Sequence, residues 1–338
     1  MNSKERNGYQ NITNVSKLVR EAEKRIRRYI RETPLDFSPY LSRVGKCNAY
    51  LKLENIQPTG SFKVRGAINK ILSLSKRDVI TASSGNHGLA VAHALQVLGG
   101  AGIIYLPKNT AQTKIDRLNE YGVELRFYGN ECGETEIYAR KIAQEKRKTF
   151  ISPYNDPEII GGQGTIAIEL LRQINDIDTV MVSVGGGGLI SGIAGHLKCL
   201  NPSMEIIGCI PANSPAMYEA IKAGKIVETE IKPTLSDGTA GGIEPNAITF
   251  ELCQHYVDHF IVVKEDEIAR GIKLVLEKHH MVIEGAAGVT IAAYLKEKAK
   301  FEGKNVVLII CGKNIGMDKL KAILCDKKTD NLEDVETS

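Results

Sequence analysis

Strand-like and helix-like runs alternate through almost the whole 338-residue chain, and this alternation constrains the fold more than any single motif. Apolar stretches at 48–53, 79–82, 103–106, 123–128, 179–184, 205–210 and 306–310 read as strands. Between and after them, 61–74, 88–98, 111–121, 134–145, 164–174, 189–199, 265–278 and 286–298 read as helices. Strands separated by helices cannot pair as tight hairpins, so the pattern predicts an α/β body of mainly parallel sheets with helices on both faces. The length allows two lobes. One compact βα series runs from about 70 to 155 and a second from about 156 to 325. The tail, 326–338, is polar and acidic and is expected to be disordered.

Composition removes several classes of function. Hydrophobic content of 43% and charged content of 25% are ordinary for a globular protein. A net charge of +4 from 44 basic and 40 acidic residues is too balanced for a nucleic-acid binder. The densest basic run, 17–31, carries Leu18, Val19, Ala22, Ile26 and Tyr29 at helical spacing, so it reads as an amphipathic surface helix with a solvated cationic face. No apolar run approaches the roughly 18 residues that suggest a membrane span, and residues 1–10 lack a signal-peptide core; a cytoplasmic protein is expected. The seven cysteines are scattered and form no C-x-x-C pair, which argues against a zinc site or a disulfide framework.

Four stretches carry chemistry. In Pro58-Thr59-Gly60-Ser61-Phe62-Lys63-Val64-Arg65-Gly66-Ala67, Pro58 and Gly60 end a strand, the Ser61 hydroxyl is placed to cap a helix, and Lys63 falls in its first turn. The positive end of a helix disfavours an ammonium and so favours a neutral amine, the state a carbonyl-binding lysine needs. A lysine at a helix start is otherwise a solvated surface residue. Thr81-Ala82-Ser83-Ser84-Gly85-Asn86-His87-Gly88 passes from a strand into a helix, with main-chain N–H groups and two hydroxyls suited to a carboxylate; Asn86 or Ser84 as a plain helix cap is the competing reading. Gly185-Gly186-Gly187-Gly188-Leu189 lies between a buried strand and a helix, a cradle for phosphate. A dinucleotide loop would want an acidic residue ending a strand about 20 residues on, and Glu205 begins one instead. Finally, the apolar run 306–310 ends in Cys311-Gly312, the ligand end of a buried parallel strand.

Taken together, Ser61-Phe62-Lys63-Val64-Arg65-Gly66-Ala67 and the other three motifs, in this order, resemble the fold-type II pyridoxal phosphate enzymes, specifically the serine/threonine dehydratase and serine racemase branch. The resemblance spans roughly 15–325 and implies a two-lobed, tryptophan synthase β-like fold: 1–69 with 156–325 as the large cofactor-binding domain and 70–155 as the small substrate-loop domain. It implies pyridoxal 5'-phosphate held by Phe62, Lys63, Asn86, Gly185, Gly186, Gly187, Gly188, Leu189, Gly242 and Cys311, with Asn86 on the phenolic oxygen and Cys311 at the pyridine nitrogen. The substrate carboxylate falls to Ser83, Ser84, Gly85, Asn86 and His87, and the catalytic residues are Lys63 and Ser84. A hydroxyl opposite the lysine permits racemisation. Gly161-Gly162-Gln163-Gly164-Thr165 resembles a helix start of the family, read as a packing turn, and 235–242 a loop passing close to the ring.

The implied reaction is β-elimination of L-threonine or L-serine to a 2-oxo acid and ammonia, by a carbon–nitrogen lyase acting as a homodimer on a small amino acid; a racemase, or a dehydratase of a less common β-hydroxy amino acid, is the alternative. The divalent-cation site of serine racemase is doubtful here, because Ile210 and Pro215-Ala216 stand where its carboxylates would be, and no metal ligands are assigned. No regulatory module follows 325, so feedback control of the biosynthetic kind is not expected.

Overall fold

The computed structural model describes residues 15–326. The expectations for the first ten residues and, Asp326 apart, for the tail lie outside them. Among the described residues, ten strands form two sheets. The larger has the order β1-β2-β10-β7-β8-β9, from Leu35–Phe37 (β1), Asn48–Lys52 (β2), Thr179–Ser183 (β7), Glu205–Pro211 (β8), His259–Val263 (β9) and Asn305–Ile309 (β10). The smaller has the order β5-β4-β3-β6, from Asp78–Ala82 (β3), Ala101–Leu106 (β4), Glu124–Phe127 (β5) and Thr149–Phe150 (β6). Every pairing is parallel except that of β1 with β2. The six-stranded sheet thus takes strands from both sides of the four-stranded one in the chain.

Burial explains the order. All five residues of β7 are buried, and so are Val306 to Ile309 of β10, because the centre of a parallel sheet is covered by helices on both faces. β5 lies at the edge of its sheet and buries none of its four residues. β1, β6 and β9, and the helices Pro39–Gly45, Ala216–Ala223, Ile248–Tyr256 and Met317–Cys325, are not among the elements expected from the sequence; apart from the five-residue β9 they are short or weakly patterned.

Two local expectations are corrected. The glycines at 161, 162 and 164 are not a helix start: the helix runs Pro157–Gln173, capped by the Asp156 carboxylate accepting from the amides of Glu158 and Ile159. Those glycines instead let helices touch. A Cβ on Gly162 would stand 2.6 Å from the Gly66 Cα, and one on Gly164 2.7 Å from the Gly192 carbonyl. The basic helix, Val15–Ile26, does bury Val19, Ala22 and Ile26, but its cationic face is not wholly solvated. Arg25 donates to Glu158 at 2.6 Å, and Arg27, in the turn that follows the helix, donates to Glu169 at 2.8 Å; both pin the segment to the Pro157–Gln173 helix.

Candidate active site

The site forms where parallel strands end. Cys311 follows β10, the glycine run follows β7, Ser83 follows β3 and Pro153 lies just beyond β6. Lys63 opens the Lys63–Ser73 helix as its first residue, so the first-turn placement holds, but the Ser61 hydroxyl does not cap that helix. Ser61 is fully buried, bridges Gly312 through its backbone, and its Oγ has no partner among the described residues. Phe62 donates its amide to the Cys311 carbonyl at 3.0 Å, so the lysine segment and the end of β10 are stitched together.

Lys63 Nζ donates to the Pro153 carbonyl at 2.7 Å and lies 5.2 Å from the Phe62 ring centre. Removal from water pushes its pKa down to about 8, although Cys311, Glu284 and Glu136 pull the other way. A fair fraction is therefore neutral amine near pH 8. Cys311 Sγ is 3.5 Å from Ser183 Oγ and 4.0 Å from Glu284 Oε1; burial and the Glu284 charge push its pKa well above the ordinary thiol value, so it is a neutral thiol.

On the opposite wall, the helix Asn86–Leu98 starts after Gly85, and neither Ser84 nor Asn86 caps it. Ser83 Oγ accepts from the Gly85 amide at 3.2 Å, while the half-buried Ser84 makes no side-chain hydrogen bond among the described residues. His87 is buried with Nε2 3.1 Å from the Ile151 carbonyl, and burial together with nearby Lys63 lowers its pKa to about 3. A neutral ring facing a carbonyl carries its hydrogen on Nε2. Asn86 Nδ2 donates to both oxygens of Glu284, at 2.8 and 3.0 Å, and Asn86 Oδ1 accepts from Asn314 Nδ2 at 2.6 Å. Burial pushes the Glu284 pKa up, against the hydrogen bonds from Asn86 and the Asn314 amide.

The glycine run can hold an anion. Gly187 has φ of 85° and precedes the Gly188–Leu200 helix, with Leu189 buried in its first turn. The amides of Gly185, Gly186 and Gly187 have no backbone acceptor among the described residues. Side chains are excluded here: a Cβ on Gly186 would stand 2.4 Å from Tyr154 ring carbons, and one on Gly185 2.8 Å from the Thr239 Cα. Tyr154 Oη in turn accepts from the Glu244 amide at 2.9 Å. Gly242 is brought less close than the rest: it is exposed, a Cβ there meets nothing, and Thr239 makes the loop's contact with the glycine run.

Three features therefore fit pyridoxal phosphate: unpaired amides in a cradle too tight for a Cβ, a lysine amine depressed by burial, and a neutral thiol at the adjoining strand end. Sequence reasoning missed Tyr154 and Glu284. No short motif marks either, since their partners lie 32 and 198 residues away for Gly186 and Asn86. Among the described residues no three His, Cys, Asp or Glu side chains gather as metal ligands, and Ile210 and Ala216 are buried. No helix among them is long and apolar enough to cross a membrane.

The chain is 40% identical over 310 residues to the L-threonine ammonia-lyase of Thermotoga maritima, covering 90% of this chain and 77% of that one. Its fold is similar to the processed threonine deaminase isoform 2 of Solanum lycopersicum, with a TM-score of 0.87 and 34% identity over 92% and 87% of the two chains. Maize serine racemase gives a TM-score of 0.86 at 30% identity over 91% and 96%. A family model described as "Pyridoxal-phosphate dependent enzyme" matches residues 26–312, and with the site geometry this places the chain in that family.

Proposed function

We propose that this protein is a pyridoxal phosphate-dependent L-threonine or L-serine ammonia-lyase, converting a β-hydroxy amino acid to a 2-oxo acid and ammonia. The observation that carries the reading is Lys63, a half-buried amine with its pKa lowered to about 8, set between the Pro153 carbonyl and the Cys311 end of β10. The names of the relatives from Thermotoga maritima and Solanum lycopersicum supply the substrate.

When bound, the cofactor supplies an electron-withdrawing ring that acidifies the Cα proton of the amino acid. The amides of Gly185 to Gly188 and Leu189 hold its phosphate, aided by the positive end of the following helix. Phe62, Asn86 and Cys311 would line its ring, and because a neutral thiol beside the ring nitrogen cannot stabilise a pyridinium as a carboxylate would, the ring would withdraw less charge. Ser83, Ser84, Gly85, Asn86 and His87 grip the substrate carboxylate and so orient the Cα–H bond. Lys63 Nζ, as free amine, accepts the Cα proton. Gly242 belongs to this set by resemblance alone.

The two sheets support the proposed division into a large domain of 1–69 with 156–325, of which 1–14 lie outside the described residues, and a small one of 70–155. A homodimer in the cytoplasm completes the reading, and light scattering on the purified protein tests the former. The test of the activity is turnover of L-threonine, L-serine and D-serine by cofactor-loaded protein, following 2-oxo acid and stereoisomer together, with and without chelator. Chelator-insensitive 2-oxo acid from L-threonine, abolished in Lys63→Ala, is expected. Predominant interconversion of L- and D-serine would instead favour a racemase, a reading supported by the unpartnered Ser84 hydroxyl and the likeness to maize serine racemase.

A further inference from the structure

The mechanism above leaves one buried carboxylate beside Asn86 and Cys311 without a task. Glu284 is 6% exposed, and among the described residues it forms no ion pair. It immediately precedes the Gly285–Lys296 helix, yet its carboxylate does not cap that helix. It turns instead toward Asn86, whose Nδ2 lies 2.8 and 3.0 Å from its two oxygens, and it also accepts from the Asn314 amide at 3.0 Å. Room for it is reserved: a Cβ on Gly312 would stand 2.6 Å from Glu284 Oε1. The titratable groups facing it are Lys63, Cys311 and Asp237.

The hydrogen bonds fix direction as well as place. A carboxylate only accepts, so Asn86 must present its NH2 side to Glu284. Asn314 Nδ2 donates to Asn86 Oδ1 at 2.6 Å and to the Thr59 carbonyl at 2.9 Å, while Asn314 Oδ1 accepts from Arg117 Nη1 at 2.7 Å. Arg117 only donates and Glu284 only accepts, so the two amides between them have one consistent orientation. The two oxygens of a single carboxylate subtend a narrower angle at Nδ2 than its two N–H bonds do. One N–H therefore points between them and the other remains for a ligand oxygen.

We propose that Glu284 is a positioning residue: it locks Asn86 with its second N–H directed at the phenolic oxygen of pyridoxal phosphate. The inference rests on the cofactor reading of this site, not on which amino acid is consumed. Asn314 and Arg117 hold the far end of the same chain, so the residue touching the cofactor is set from both lobes.

The test compares cofactor-loaded wild type with Glu284→Gln and Glu284→Asp. Glutamine keeps the volume and removes a buried charge, so folding is retained, but its amide can donate or accept and Asn86 is free to turn over. Expected for Glu284→Gln are a cofactor Kd raised about tenfold, the loss of one well-placed hydrogen bond. A displaced pH titration of the bound-cofactor absorbance, and kcat lowered with KM little changed, are also expected. Glu284→Asp, which restores the charge, recovers part of each. Wild-type Kd and absorbance titration in Glu284→Gln overturn the proposal, as does a deficit confined to a lower thermal midpoint. Both decisive readouts need no substrate, so absence of turnover with L-threonine would sink the lyase reading and leave this one standing.

Discussion

Two buried polar clusters flank the start of the Lys63–Ser73 helix, and they are built on opposite rules. Behind it, Arg65 donates to Glu54 at 2.7 Å and to Glu169 at 2.8 Å, and Lys52 donates to Glu169 at 2.6 Å, all four side chains being fully buried. In front, Lys63 and Glu284 form no ion pair among the described residues, and Asn86 and Cys311 stand between or beside them. The carboxylates show the difference. Burial alone would push Glu169 up, yet Arg65 and Lys52 hold it down at about 2, whereas Glu284 is left above the ordinary value. A paired cluster fixes the helix; an unpaired one keeps groups in the protonation states and orientations that a ligand needs.

The sharpest way to break this comparison is to remove one member of each cluster. Lys63→Ala should lower turnover by about a thousandfold or more, the scale of a lost catalytic base, and leave the thermal midpoint of the cofactor-free protein unchanged or raised. A midpoint that falls instead would mean the front cluster is also a structural one. Arg65→Met should do the reverse, costing about 3–5 kcal/mol in urea unfolding because Glu54 and Glu169 are left buried without their cation. Glu284→Gln, by contrast, should change stability by no more than about 1 kcal/mol, within the range of a single hydrogen bond. Equal losses in the two would refute the distinction.

The two clusters also differ in how far they could be read in advance. Lys63, Asn86 and the glycines at 185–188 were legible because their chemistry depends on local context, a strand end passing into a helix. The alternating runs likewise gave the parallel sheets, since period and length are local properties. Glu284 was not legible: in sequence it is an acidic residue before a glycine at a helix start, and its role exists only because the chain brings Asn86 198 residues back to it. The glycines at 161–164 misled for the same reason. They look like a turn, but they answer to Gly66 and Gly192 on two other helices. The Arg65–Glu169 pair, 104 residues apart, could not be inferred from spacing at all.

Intermediate in size is Gly186→Ala, which probes the cradle without touching either cluster. Its Cβ would press on the Tyr154 ring at 2.4 Å, so the ring or the loop must shift. Cofactor affinity measured by fluorescence should fall about tenfold, the cost of roughly one displaced amide contact, while urea stability of the cofactor-free protein changes less than in Arg65→Met. Unaltered affinity would mean the loop's amides do not carry the phosphate.

The smallest effect, and the one that most refines the comparison, is a pair of opposed pH slopes. Glu169 has a folded-state pKa of about 2 against an ordinary 4.5, so it contributes stability that is complete above 4.5 and is lost as pH falls from there through about 2. The pKa of Glu284 is raised, so the fold binds its proton more tightly than the unfolded chain does; its carboxylate costs stability at neutral pH and ceases to as pH falls through the raised value. Urea unfolding of the cofactor-free protein across this range, for wild type, Glu169→Gln and Glu284→Gln, separates the two. The advantage of wild type over Glu169→Gln should shrink on acidification, whereas wild type should start no more stable than Glu284→Gln and lose any deficit as Glu284 protonates. Slopes of the same sign would mean that Glu284 has a cation partner in solution, and that the front cluster is paired after all.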